Sequence, residues 1–265
     1  MTYATLMIDL ELGKSNADVL QVAADLAGRF DAGVIGVAAC DGPQLAYGGP
    51  YVTAEAVDLI QQQTARLLHE AEAEFRAILS PRVASLEWRA AETYGSTGKY
   101  LAAQARRADL IIAAAGKKSG DLVMQAGRPV LLVPSNVAPA APERVLVAWK
   151  DTREARRAAL DALPLLRVAQ HVVVVEVAAA EQAAQAKEHL SDIAAWLGRH
   201  GIVPETEVVP AKGADADAVA RAATAHQADV IVAGAYGHGR LREWALGGVT
   251  FDLLLNTRRL VLLSH

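Results

Sequence analysis

The sequence predicts an α/β protein made of two tandem units of alternating strands and helices, and three observations carry that prediction. Hydrophobic residues make up 52% of the 265 residues and aromatics only 5%. A core of Ala, Val, Leu and Ile follows, which suits buried parallel strands under Ala-rich helices. Short apolar runs alternate with amphipathic stretches along the chain. The alternation then restarts after PSNVAPAAPE, residues 134–143, whose three prolines and lack of periodicity mark a linker. The expected units are residues 1–136 and 144–265, with 137–143 between them.

In the first unit, residues 5–10 (TLMIDL) read as a buried strand and 15–30 as a helix with Val19, Leu20, Ala23, Ala24 and Leu26 toward the sheet. Ser15 or Asn16 supplies its N-cap. Residues 33–39 form a second strand, 41–51 a Gly/Pro/Tyr loop, and 54–79 a long helix. Residues 86–92 alternate as a third strand, 97–107 make a short helix, 109–114 a fully apolar fourth strand and 130–133 the last. The second unit repeats the order: strands at 145–149, 171–177, 205–209, 230–233 and 260–263, with helices at 153–166, 180–200 and 214–226.

The repeat survives alignment. Residues 108–113 (ADLIIA) match 228–233 (ADVIVA) at an offset of 120, and 128–132 (RPVLL) match 258–262 (RRLVL) at an offset of 130. The first copy is therefore ten residues shorter between these anchors, where the second carries a glycine-rich stretch. From the first strand to the fourth the first copy is nineteen residues longer, an excess assigned to residues 41–60.

The formal net charge is −4, without a Lys/Arg run that could track a phosphate backbone, so nucleic acid is not an expected partner. No apolar stretch approaches the length of a spanning helix, and Asp9 and Glu11 stand where a signal peptide needs a basic segment and an apolar core. Cys40, the only cysteine, cannot form an internal disulfide and reads as a small core residue at a strand end. The expected location is the cytoplasm. The seven histidines are scattered, and no paired-cysteine spacing, H-E-x-x-H or G-x-S-x-G turn is present, so neither a metal site nor a catalytic residue is assigned.

The stretch at 228–250, ADVIVAGAYGHGRLREWALGGVT, reads as a buried strand opening into Gly234, Gly237 and Gly239, then a glycine pair, Gly247 and Gly248. Glycines at a strand-to-helix turn let a ligand reach backbone N–H groups, and a helix start adds partial positive charge. A phosphate is the default ligand for that device, and an ordinary glycine-containing βα loop is the plain alternative. The first copy has only 114–127 there, which leaves one competent site, in the second unit.

These residues resemble the signature loop of the universal stress proteins, in which G-x-x-G is followed by nine residues and then Gly-Ser or Gly-Thr. Gly234, Gly237 and Gly247 fit, position 248 is Gly instead of Ser, and Val249-Thr250 continue the pattern. Residues 145–166 resemble the family's opening strand and helix, and the tandem layout resembles its two-domain members. The resemblance implies two doubly wound parallel five-stranded sheets of order 3-2-1-4-5, ATP or AMP at the carboxyl ends of strands 1 and 4, Mg²⁺ accompanying ATP, and domains paired through their last strands. It implies that Ala148 and Val177 line the adenine, and that Ala233, Gly234, Gly237, Gly247, Gly248, Val249 and Thr250 surround the ribose and phosphates. The missing Ser hydroxyl at Gly248 weakens the phosphate cradle.

ATP-binding members place Asp after the first strand; here Lys150 stands in that slot with Asp151 beside it, and Glu11 in the first copy. An ammonium cannot accept the hydrogen bonds a carboxylate accepts. Either Lys150 turns to the phosphates or nucleoside recognition is lost. His238, between Gly237 and Gly239, and Arg240 and Arg242 are further candidate phosphate donors, each with a solvated surface position as its alternative. Tyr236 could cap the site, and Trp244 and Leu246 anchor the loop. Residues 42–51, with Tyr47, Gly48, Gly49, Pro50 and Tyr51, read as a lid, a binding pocket for a second ligand, or an insertion that only caps the sheet edge. Three functions stay open: a ligand-responsive adenine-nucleotide binding module of the stress response, a slow ATPase, and a partner-binding protein with decayed sites. The short apolar last strands, 130–133 and 260–263, should pair inside the chain, and a homodimer beyond that stays open.

Overall fold

The computed structural model describes residues 2–41, 54–93, 96–116, 119–135, 142–235 and 258–265. Among them the first half contains β1 (Thr5–Leu10), α1 (Ala17–Phe30), β2 (Gly33–Asp41), α2 (Ala54–Leu79), β3 (Leu86–Thr93), α3 (Thr97–Gln104), β4 (Leu110–Ala114), α4 (Ser119–Gln125) and β5 (Val130–Val133). The second contains β6 (Arg144–Trp149), α5 (Arg153–Asp161), α6 (Leu163–Val168), β7 (His171–Ala178), α7 (Ala183–Arg199), β8 (Glu205–Pro210), α8 (Asp215–Ala225), β9 (Val230–Gly234) and β10 (Leu260–Ser264).

These ten strands of the described residues join one sheet in the order β3-β2-β1-β4-β5-β10-β9-β6-β7-β8. Each half has the expected order 3-2-1-4-5, parallel throughout. The halves fuse where β5 and β10 run antiparallel, with Leu131 opposite Leu262 and Leu132 opposite Val261. This is the intramolecular pairing expected from two short apolar edges, which leaves neither exposed as a template for other chains.

The register corrects the sequence alignment by one residue. Val130 pairs with Ile111, and Val261, not Leu260, pairs with the equivalent Ile231. The second copy is thus eleven residues longer in this region, and Leu131 and Leu262 become equivalent. Facing each other, they sit on a local two-fold that relates the halves.

Two apolar layers cover the sheet. On one face α1, α2, α5, α6 and α7 pack over Leu6, Ile8, Ile112, Leu131, Val147, Val174 and Leu262. On the other, α3, α4 and α8 pack over Met7, Ile111, Leu132, Leu146, Val173, Ile231 and Leu263. The first layer runs through both halves, and polar contacts reinforce it. The buried Tyr3 hydroxyl donates to Asp161 O at 2.6 Å, and burial raises its pKa far above the usual range. Arg29 donates to Pro142 O at 3.1 Å and also to Val168 O.

Three local expectations change. The helix expected over 153–166 breaks at Ala162, because Pro164 in the first turn of α6 has no N–H to continue the ladder of α5. Residues 119–125, given no element by the sequence pattern, form α4. Asn16 precedes α1 without capping it. Its side chain turns back to Glu11, accepting from the Glu11 N–H at 2.8 Å and donating to the Glu11 carbonyl at 3.1 Å.

Candidate functional site

The strand order reverses between β1 and β4 in one half and between β6 and β9 in the other, and open α/β sheets bind ligands at the carboxyl ends of such strands. In the second half Ala148, one residue before the end of β6, lies beside Ala233 on β9 and Val175 on β7. Ala148, Ala233 and Val177 all face the layer of α8, with Ala148 and Val177 only half-buried. Small side chains therefore line the strand ends at this point. Lys150 follows β6 on the surface, and its carbonyl accepts the Thr152 N–H at 2.7 Å.

Gly234 faces the other layer. A Cβ there would lie 2.5 Å from Ala155 N and 2.6 Å from the Glu154 carbonyl carbon, so the first turn of α5 needs glycine at this position for packing alone. That turn is capped by the Thr152 hydroxyl, which accepts from Ala155 N at 3.3 Å. Glu154 within it is 6% exposed. Burial pushes its carboxyl up, but hydrogen bonds from Arg153, its own amide and Thr152 outweigh this and hold it below the usual range. Asp151 pairs with Arg156 and lines a separate cavity between α5 and α7, with Trp149, His189 and Trp196.

The remaining predicted residues, Gly237, His238, Gly239, Gly247, Gly248, Val249 and Thr250, lie outside the described residues, as do Tyr236, Arg240, Arg242, Trp244, Leu246 and the 42–51 segment.

Among the described residues the first-half crevice has a volume of about 390 Å³. Asp9, Glu11 and Asp121 line it together with Lys14, Ser96, Thr97 and Ser119. Lys14 pairs with Glu11 at 2.8 Å. Ser119 opens α4 and donates to Ala114 O at 2.7 Å, closing the short connection that stands where the second half has its glycine stretch. Cys40, expected in the core, is half-buried at this crevice.

Two histidines that the sequence keeps far apart, His171 and His226, meet at the opposite end of the second-half sheet beside Glu205. No periodicity or motif spacing marks them; strand register and the end of α8 bring them together. No helix among the described residues is long and apolar enough to cross a membrane.

No protein-family model and no curated protein sequence matches the chain. Solved structures do. A universal stress protein from Archaeoglobus fulgidus matches with a TM-score of 0.75 at 14% identity, covering 98% of this chain and 98% of that one. A protein of unknown function from Pseudomonas aeruginosa matches with a TM-score of 0.62 at 15% identity, covering 99% of this chain and 92% of that one. A universal stress protein from Archaeoglobus fulgidus solved in complex with dAMP matches 50% of this chain and 99% of its own at 19% identity, with a TM-score of 0.37. Over 98% of its length, then, this chain has the fold of a universal stress protein from Archaeoglobus fulgidus.

Proposed function

We propose that this chain is a tandem universal stress protein of the cytoplasm that acts as a ligand-responsive binding module, holding an adenine nucleotide, ATP or AMP, in its second half. One observation carries the proposal: the reversal of strand order at β6 and β9 is lined by Ala148 and Ala233, and β9 leads directly into the G-x₂-G-x₉-G stretch. In this reading Ala148 and Val177 bound the adenine. Backbone amides from Gly237 to Gly239 and from Gly247 to Thr250 take the phosphates, with the Thr250 hydroxyl and His238 as added donors and Lys150 as counter-charge. Mg²⁺ would enter only with ATP. Asp9, Glu11 and Asp121 in the first-half crevice oppose a phosphate there, which supports one nucleotide per chain. The ion pair of Asp151 with Arg156 engages the acid beside Lys150, which the ATPase reading would use as a base.

Equilibrium dialysis and thermal shift with ATP, ADP and AMP test this. Saturable binding of one nucleotide per chain is expected, with stabilisation near 2.7 kcal/mol at about a hundredfold excess over Kd. Gly237→Val should abolish binding and leave the melting temperature of the free protein in place. No shift at millimolar nucleotide would favour the partner-binding reading, to which Lys150 and Gly248 already lean.

A further inference from the structure

The amino-terminal edge of the second-half sheet carries a cluster that nucleotide binding does not use. His171 opens β7, Glu205 opens β8, and His226 is the residue that ends α8. One ligand atom from each lies within 4.8 Å of the others. His171 Nε2 is 3.8 Å from a Glu205 carboxylate oxygen, and His226 Nδ1 is 4.0 Å from the same oxygen. The imidazoles stack with centroids 6.1 Å apart. Register explains the meeting: Glu205 pairs with Val173, two residues along from His171, so His171, Glu205 and Glu207 share the face that α8 covers. Arg144 Nε donates to the His226 carbonyl at 2.8 Å and fixes the end of α8 over them.

Two details point to a bound cation. His226 Nε2 lies 2.7 Å from a Glu207 oxygen. With that nitrogen donating to the carboxylate, Nδ1 presents its lone pair toward Glu205, the arrangement in which a carboxylate orients a metal-ligating imidazole. His171 Nε2, in turn, is buried without a hydrogen-bond partner among the described residues, a state that is costly when nothing compensates it.

The first half supplies the contrast. Strand register makes Glu87 the equivalent of Glu205 and Arg89 that of Glu207. There Glu87 is matched by Arg89 at 2.7 Å and by Arg107 at 3.4 Å. The second half has exchanged that guanidinium for a second carboxylate and added two imidazoles.

We propose that His171, His226 and Glu205 form a binding site for a divalent transition-metal cation, Zn²⁺ above all, with Glu207 orienting His226. An imidazole-carboxylate donor set suits Zn²⁺, Ni²⁺ or Cu²⁺ and not Mg²⁺. Tetrahedral zinc bonds of about 2.0–2.2 Å set donors roughly 3.3–3.6 Å apart, so Glu205, 64% exposed, has to approach each imidazole by about half an ångström, and the two imidazole nitrogens, within 4.8 Å of each other, close on the metal as well. Three protein ligands leave a fourth position for water or an incoming group.

The test uses the full-length protein without a histidine tag, stripped with chelator and titrated with Zn²⁺ by calorimetry and against a chromophoric chelator. One site per chain is expected, of micromolar or tighter affinity, with a raised melting temperature. His171→Ala and His226→Ala should each weaken binding at least tenfold and Glu207→Gln about tenfold, while the distant His189→Gln changes nothing. Co²⁺ should give visible d–d bands that His226→Ala removes. Glu205→Gln, at an exposed position, serves should a histidine variant fail to fold, and should also weaken binding at least tenfold. No saturable binding by about 0.1 mM Zn²⁺, or affinity unchanged within threefold in the variants of all three ligands, overturns the proposal. Neither result depends on whether nucleotide binds.

Discussion

Asp109 in the first half and Asp229 in the second do the same work. Asp109 accepts from the amides of Ala4 and Thr5 at 2.9 and 3.0 Å, and Asp229 from those of Glu143 and Arg144 at 3.1 and 2.9 Å. Each carboxylate ties the start of the first strand to the turn entering the fourth, and the strands between run in the same order. At both ends of the sheet the halves part. The carboxyl end carries Asp9, Glu11 and Asp121 in one half and Ala148, Ala233 and a glycine stretch in the other. The amino end carries Glu87 between two arginines in one half and Glu205 between two histidines in the other. Buried strands and their clamps resist change because each residue meets many neighbours, whereas strand ends bury little and can exchange one chemistry for another.

The centre of the sheet offers the largest test of that equivalence. Leu131 and Leu262 are fully buried, related by the local two-fold and directly opposed. Leu131→Ala and Leu262→Ala should each cost about 2–5 kcal/mol in urea unfolding, within about 1 kcal/mol of each other. The double variant should cost less than the sum, since the two cavities merge. Losses that differ by more than about 2 kcal/mol would show that the halves contribute unequally to their own junction.

Much of this frame was legible because strands buried on both faces read as continuous apolar runs; the expected 5–10 and 130–133 match β1 and β5 to the residue. The same property hid the register of β10. A one-residue slip normally moves apolar side chains to the wrong face, but LVLL at 260–263 is apolar on both faces and carries no such signal. The break before α6 was visible in Pro164, and periodicity on either side overrode it. Of the candidate site, Ala148, Val177 and Ala233 fell on one face because alternation along a strand fixes sides. Gly234 shows the limit of that reasoning: the glycine pattern points to a ligand, while the packing of α5 that also demands glycine depends on a helix approaching from another part of the chain. His171 and His226 were beyond reach, since neither strand register nor the end of α8 is written in their spacing.

Gly234 and its counterpart Ala114 make the next test. The first-half helix α1 begins seven residues after β1, whereas α5 begins four after β6 and presses on β9. Gly234→Ala should therefore lose about 1–3 kcal/mol from overpacking, and Ala114→Gly about 1 kcal/mol or less. Urea unfolding measures both. A Gly234→Ala protein of unchanged stability that no longer binds nucleotide would instead assign this glycine to the ligand.

The smallest expected effect depends on pH and belongs to the second half alone. Glu176, buried on β7, meets His189 of α7 with Nδ1 3.0 and 3.2 Å from its two oxygens, where strand register puts the buried Ala38 in the first half. The hydrogen bond with Glu176 raises the His189 pKa; burial opposes this, and the charges of Glu176, Asp151 and Glu188 add to the rise. A histidine whose folded pKa exceeds its unfolded value of about 6.5 stabilises fully below that value, and the contribution fades as pH climbs through the folded pKa. The melting temperature of His189→Gln should thus fall furthest below that of the parent near pH 6 and approach it by about pH 9, the gap at low pH corresponding to about 1 kcal/mol. An Ala38 variant should show no such trend. A gap constant with pH would mean that the neutral imidazole holds Glu176 as well as the cation does, leaving α7 and β7 joined by a hydrogen bond without charge.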